Sequence, residues 1–159
     1  MRCKNSRPSI GQRHLRKGRR SLTNHIYHVT TVTAGRQRVL SDLASGRMIV
    51  RSLMRLEKTR RASTRAFVIM PDHLHWLLQL HDGSNLSSTV GSMKSQSGNS
   101  INQLLGRSSG PIWQRGFHDH ALRRDEDIIR IARYIVANPL RAGLVSKIGD
   151  YPLWYSVWV

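Results

Sequence analysis

The 159-residue sequence contains few acidic residues and a single cysteine. Because Cys3 has no second cysteine as a partner, no internal disulfide can form and a reducing compartment is expected. No apolar run approaches the roughly 18 residues of a membrane-spanning helix. The basic N-terminus is not followed by the apolar stretch of a secretory signal. These absences favour a soluble cytoplasmic protein with no membrane-spanning segment.

The small number of acidic residues also restricts the kind of active site that the chain can form. Nine Asp and Glu stand against 26 Lys and Arg, which gives a formal net charge of +17. Three of the acids, Asp125, Glu126 and Asp127, crowd the expected start of a helix, where they suit the helix dipole. A nuclease site built on three carboxylates and two metals is therefore hard to assemble. The positive excess favours a polyanionic partner, with nucleic acid first and a membrane surface or ribosome-like target as the alternative.

Residues 1–20 are predicted to form a basic arm ahead of one domain over residues 21–159. The arm has no acidic residue. Its composition fits a solubilising tail, a phosphate-binding arm that orders on binding, or both. The DNA-binding candidates within it are Arg13, Arg16, Lys17, Arg19 and Arg20.

Apolar periodicity predicts the order strand, helix, strand, strand, helix, strand, helix. The predicted ranges are 24–33, about 41–59, 65–70, 73–81, 86–105, 112–122 and 124–138. Gly98 is a potential break in the second helix, and Pro139 is expected to end the last one. The final segment, YPLWYSVWV, is expected to pack on the body. This order favours an α+β fold, a ferredoxin-like or RRM-like sandwich with a mostly antiparallel central sheet flanked by helices.

Two histidines alternate on the predicted third strand. His73 and His75 fall on one strand face, roughly 7 Å apart along the strand. Imidazole is a good ligand for divalent metals. A second pair, His118 and His120, also shares a strand face, so spacing alone leaves either pair as metal ligands or as residues facing DNA.

The predicted last helix places Tyr134 and Asn138 four residues apart, on one flank of its apolar face. The alternative is a tyrosine at the core edge with an asparagine ending the helix. A phenol can attack a phosphodiester where a nearby metal manages the charge. Asn138 could then give that metal a third, neutral oxygen ligand.

Further basic and aromatic residues are candidates for contacts with nucleic acid. A stripe of arginines lies near the side of the first predicted helix opposite its apolar face, where it contacts either solvent or phosphates. Aromatic rings after residue 107 are candidates for base stacking or for the core. These residues are Arg47, Arg51, Arg55, Trp113, Arg115 and Phe117.

Three separated segments, VIMPDHLHWLLQL, PIWQRGFHDHALRRDEDI and IARYIVANPLRAGLV, resemble the REP-associated tyrosine transposases. These proteins are HUH endonucleases with a single catalytic tyrosine. The resemblance covers about residues 24–155, with the motifs in the family's order. His118 departs from the pattern, because relatives often carry an aromatic residue there.

The resemblance implies a role for each site residue. Tyr134 would be the nucleophile, and His73, His75 and Asn138 would bind a divalent metal, Mg or Mn. Cleavage of single-stranded DNA at a REP-type palindromic hairpin, guided by a tetranucleotide at the hairpin foot, would leave a 5′-phosphotyrosine and a free 3′-hydroxyl. The protein would act as a monomer or homodimer at the bacterial nucleoid. The alternatives are a non-catalytic hairpin-binding or nucleic-acid-binding regulator of the same fold, and a histidine–metal hydrolase of a small substrate, against which the charge argues.

Overall fold

The computed structural model describes residues 21–123 and 126–159. The helices are α1 (Leu43–Lys58), α2 (Leu86–Leu104), α3 (Ile128–Val136) and α4 (Asn138–Arg141), with two short 3-10 turns at Ala34–Arg36 and Ile148–Asp150. The strands are β1 (Ile26–Val32), β2 (Ala62–Met70), β3 (His73–Leu80), β4 (His118–Ala121) and β5 (Trp154–Ser156).

The strands form one five-stranded sheet in the order β4-β1-β3-β2-β5. Every neighbouring pair is antiparallel. Helices cover both faces of the sheet, so the predicted α+β sandwich is confirmed. Within the two described ranges, no helix has both the length and the apolar character needed to cross a bilayer.

The larger core lies between one sheet face and helices α1 and α2. Trp76 is fully buried there, and its indole nitrogen donates to the Thr64 hydroxyl at 3.1 Å. Asp42 caps α1 by accepting from the Ser45 backbone nitrogen, and Asn85 caps α2 by accepting from that of Ser88. These side-chain acceptors satisfy backbone donors that a helix start leaves unpaired.

The smaller core lies on the opposite sheet face, beneath α3. Ala132 and Ile135 of α3 pack against Val68 and Leu77 of the sheet. Since side chains alternate along a strand, Leu77 shares its face with His73 and His75. Helix α3 therefore packs on the face of the sheet that carries the two histidines.

The predicted break at Gly98 is wrong, because α2 runs through it without interruption. Ser97, Gly98 and Ile101 are all buried. Packing on this side outweighs the roughly 1 kcal/mol that glycine costs a helix interior. The strand predicted over 112–122 is shorter than expected, and only His118–Ala121 forms β4. Upstream of β4, Trp113 makes one isolated bridge to Thr33.

The final segment packs on the body, as predicted, and adds the edge strand β5 beside β2. Leu153, just before β5, is buried in the larger core. A methyl group at Gly46 would overlap the Leu153 side chain, so glycine is what allows α1 to approach this segment so closely.

Candidate active site

A tight turn at Pro71-Asp72 leads directly into β3 and places His73 and His75 at the start of that strand. Their ring centroids are 4.9 Å apart and the rings are perpendicular. Both residues are half-buried. The structure therefore brings the predicted pair together on one sheet face.

His73 is oriented by the residue before it. Its Nδ1 lies 2.6 Å from Oδ1 of Asp72, and the other carboxylate oxygen accepts from Nη1 of Arg36 at 3.2 Å. Burial acts to raise the pKa of Asp72, but the hydrogen bonds and charges of His73 and Arg36 outweigh it and lower that pKa. An ionised carboxylate keeps the imidazole proton on Nδ1. Nε2 of His73 then presents a lone pair, as in metal-binding histidines.

His75 is held by two side chains of the neighbouring strand β1. Its Nδ1 lies 3.1 Å from Nε2 of His28 and 3.0 Å from the Thr30 hydroxyl. Burial lowers the pKa of His75 to about 3, and the charges of His73, His28 and Arg141 act in the same direction. His75 is therefore neutral near pH 7, which is the form that binds metals.

Sequence reasoning missed His28, Thr30, Asp72 and Arg36 as parts of this site. The signal for Asp72 was its position beside His73. The contribution of His28 and Thr30 depends on the register of β1 against β3, in which Thr30 pairs with His75.

Tyr134 lies on the exposed flank of α3, with 60% of its surface accessible. The Arg141 guanidinium lies over the phenol ring, 3.7 Å from its centroid. Nη1 of Arg141 also donates to the Tyr134 carbonyl oxygen at 2.9 Å. The tyrosine ring is thus accessible from solvent but held on one side by a cation.

Asn138 does not lie on the same helix as Tyr134, so the predicted helix over 124–138 is corrected. Helix α3 begins at Ile128, with Asp127 as its cap, and ends at Val136. Pro139 does not end the helical path but sits in the first turn of α4, where its missing N–H is tolerated. Asn138 Nδ2 donates to the Ile135 carbonyl oxygen at 2.8 Å.

The second histidine pair, His118 and His120, lies on β4 at the edge of the sheet. Thr30 pairs with His118 and His28 pairs with His120, so both share the sheet face of His73 and His75. His120 contacts the Glu126 carboxylate at 2.8 Å. Across the part of the chain that the structure describes, no three His, Cys, Asp or Glu side chains cluster as a metal-binding group.

The candidate DNA-binding residues fall in separate places. Arg47, Arg51 and Arg55 are exposed on α1, which packs on the sheet face opposite the histidines. Arg115 is exposed, Phe117 is half-buried and Trp113 is buried in the larger core. The arm candidates Arg13, Arg16, Lys17, Arg19 and Arg20 lie outside the described residues.

Comparison with known proteins adds to this geometry. A family model described as "Transposase IS200 like" matches residues 21–138. A Haemophilus influenzae protein that carries the name REP-associated tyrosine transposase is 34% identical over 99 residues, or 56% of each chain. The REP-associated tyrosine transposase of Escherichia coli K12 is 28% identical over 106 residues, 66% of this chain and 61% of its own. The chain thus matches little more than half the length of these relatives.

A solved structure of a REP-associated tyrosine transposase bound to a REP hairpin is similar in fold, with a TM-score of 0.69 and 25% identity. The similarity covers 86% of this chain and 79% of that one.

Proposed function

The chain belongs to the family of IS200-like transposases, and we propose that it is a metal-dependent endonuclease and strand transferase acting on single-stranded DNA at REP-type hairpins. One observation carries the proposal. Helix α3, which carries the exposed Tyr134, packs on the sheet face that holds His73 and His75. A nucleophile and a pair of imidazole ligands are thereby supplied by two elements packed against each other.

The proposed reaction uses the Tyr134 phenol as nucleophile. Its oxygen attacks phosphorus, and the bond from phosphorus to the 3′-oxygen breaks. The phenol proton passes to solvent, the 3′-oxygen takes up a proton, and the 5′-phosphate stays on the tyrosine. In the reverse direction a 3′-hydroxyl attacks the phosphotyrosine, which rejoins the strand and frees the phenol.

The residues present suit a divalent metal, Mg or Mn. Both histidines use Nδ1 for protein contacts, so Nε2 is the nitrogen left to each as a ligand atom. Asn138 uses its amide nitrogen for Ile135, which leaves the amide oxygen as its donor to a metal. A metal bound to His73, His75 and Asn138 would polarise the scissile phosphate and align it with the nucleophile.

The substrate class is supported by the relatives and by charge. The solved relative is bound to a REP hairpin, and both sequence relatives are named as REP-associated. A formal net charge of +17 suits a polyanionic nucleic-acid substrate. We therefore propose a hairpin with a single-stranded flank as the ligand of this chain.

The test is covalent capture. The protein is incubated with Mn²⁺ or Mg²⁺ and a hairpin labelled on the strand 3′ of the expected cut, then denatured and separated by size. The expected result is a labelled protein band that requires metal. Hairpin binding without any covalent adduct would instead support a non-catalytic regulator of the same fold.

A further inference from the structure

Arg141 contacts the candidate nucleophile in two different ways. Its guanidinium lies over the Tyr134 ring at 3.7 Å, and its Nη1 donates to the Tyr134 carbonyl oxygen at 2.9 Å. A planar guanidinium can stack through its face while it donates through its edge. Both contacts fall on one residue, the one whose phenol carries the proposed chemistry.

The helix break after α3 creates this arrangement. Because α3 ends at Val136, the carbonyl groups of its last turn need donors from outside the helix. Helix α4 turns the chain so that Arg141, seven residues after Tyr134, reaches back to that carbonyl. Helix α4 thus places the Arg141 guanidinium at the C-terminal end of α3, the helix that carries Tyr134.

We propose that Arg141 is a positioning residue that holds the exposed Tyr134 ring in one orientation for attack on the phosphodiester. This inference rests on the proposed function. An exposed tyrosine side chain otherwise samples several rotamers, and small misplacements of a reacting group slow catalysis strongly. Arginine suits this role better than lysine, because an ammonium group cannot present a flat face and an edge donor together.

The experiment compares wild type with Arg141→Gln, Arg141→Lys and the control Arg133→Gln. Arg133 is an exposed arginine of α3, so its replacement removes the same charge next to Tyr134. Hairpin Kd and the single-turnover cleavage rate at saturating DNA are measured for each, with thermal melting to establish that each variant is folded. The ring signals of Tyr134 are followed by NMR of tyrosine-labelled protein without DNA or metal, and are assigned by their loss in Tyr134→Phe.

For Arg141→Gln we expect a rate about 10- to 100-fold lower with a nearly unchanged Kd, and shifted Tyr134 ring signals. Arg141→Lys should recover part of the rate, and Arg133→Gln should resemble wild type in all readouts. Unchanged ring signals in Arg141→Gln would overturn the positioning role. A raised hairpin Kd with an unchanged rate at saturating DNA would assign Arg141 to phosphate binding instead. Full recovery of the rate in Arg141→Lys would show that only the charge matters and would also overturn the positioning role. If the wild type forms no covalent adduct, it is the proposed function that fails, whatever the ring signals show.

Discussion

The Asn138 side-chain amide donates to the Ile135 carbonyl oxygen at 2.8 Å, in place of a backbone donor that the sequence lacks. In a continuous helix this carbonyl would accept from residue 139, but Pro139 has no N–H. The side-chain nitrogen of Asn138 therefore supplies the missing donor at the end of α3. Its oxygen is left for the proposed metal, so the two roles use different atoms of one amide.

Substitution of Asn138 should separate these two roles. Asn138→Ala and Asn138→Asp both lack the donor, so each should lose about 0.5–1.5 kcal/mol of unfolding free energy, measured with urea. Only the aspartate keeps an oxygen ligand. We expect it to retain cleavage at Mn²⁺ concentrations where the alanine variant is inactive. Equal metal dependence of the two variants would show that Asn138 acts through structure alone.

Tyr134→Phe should bind the hairpin as wild type does and form no covalent adduct, because only the attacking oxygen is removed. Cleavage products and hairpin Kd are measured in parallel. Tyr155→Phe is the matched control, since this tyrosine is also exposed but lies on β5 and stacks on Phe67. Cleavage by Tyr134→Phe at the wild-type rate would remove the nucleophile assignment.

Replacement of both His73 and His75 with alanine should abolish cleavage, and EDTA should do the same to the wild type. Imidazole nitrogen suits transition metals better than Mg²⁺, which prefers oxygen ligands. Mn²⁺ should therefore support cleavage at lower concentrations than Mg²⁺, as measured by metal titration of the initial rate. His25→Ala, at an exposed position before β1, serves as the control. A reaction that is insensitive to EDTA would contradict the metal role.

The stability of the metal-free protein should depend on pH through His75. Burial lowers the pKa of the folded-state imidazole from 6.5 to about 3. Between about pH 3 and pH 6.5 the His75 imidazole is protonated in the unfolded chain but not in the folded chain. The free energy of unfolding therefore rises with pH across this range. One such group contributes at most about 1.4 kcal/mol per pH unit. Urea unfolding at pH 4, 5, 6 and 7 should show this rise, and His75→Asn should reduce it; identical slopes in the two proteins would refute the assignment.

The arginines of α1 should affect binding rather than chemistry, because their helix covers the sheet face opposite the histidines. Replacing Arg47, Arg51 and Arg55 with glutamine should weaken hairpin binding. The slope of log K against log salt should become shallower by about 0.7 to 0.9 for each phosphate that the variant no longer neutralises. The cleavage rate at saturating DNA should not change. An unaltered salt slope would mean that these side chains contact only solvent.

Much of the fold could be predicted because local patterns govern it. The alternation over HLHWLLQL predicts a strand with two distinct faces, and the structure has β3 over His73–Leu80. Predictions failed where a distant contact decides the structure. Gly98 stays helical because the residues around it are buried. Residues 112–117 are predicted as part of a strand, but apart from the isolated bridge of Trp113 to Thr33 they form none.

The candidate site was predictable only in part, for the same reason. The HxH spacing and the helical position of Tyr134 are local features. The contacts of His28 and Thr30 with His75 require the pairing register of two strands far apart in sequence. The position of Arg141 depends on the short helix α4, which contains Pro139. Sequence rules instead predict that a helix ends before a proline.

The edge strand β5 has a practical consequence for handling this protein. It pairs with Ala66–Val68 of β2, a strand whose residues 66–70 are all buried. A variant shortened before residue 154 would leave that hydrophobic backbone edge uncovered and prone to associate with other chains. Purification tags and truncations for crystallisation should therefore leave Trp154–Ser156 intact, with aggregation measured by light scattering as the sign that the edge has been exposed.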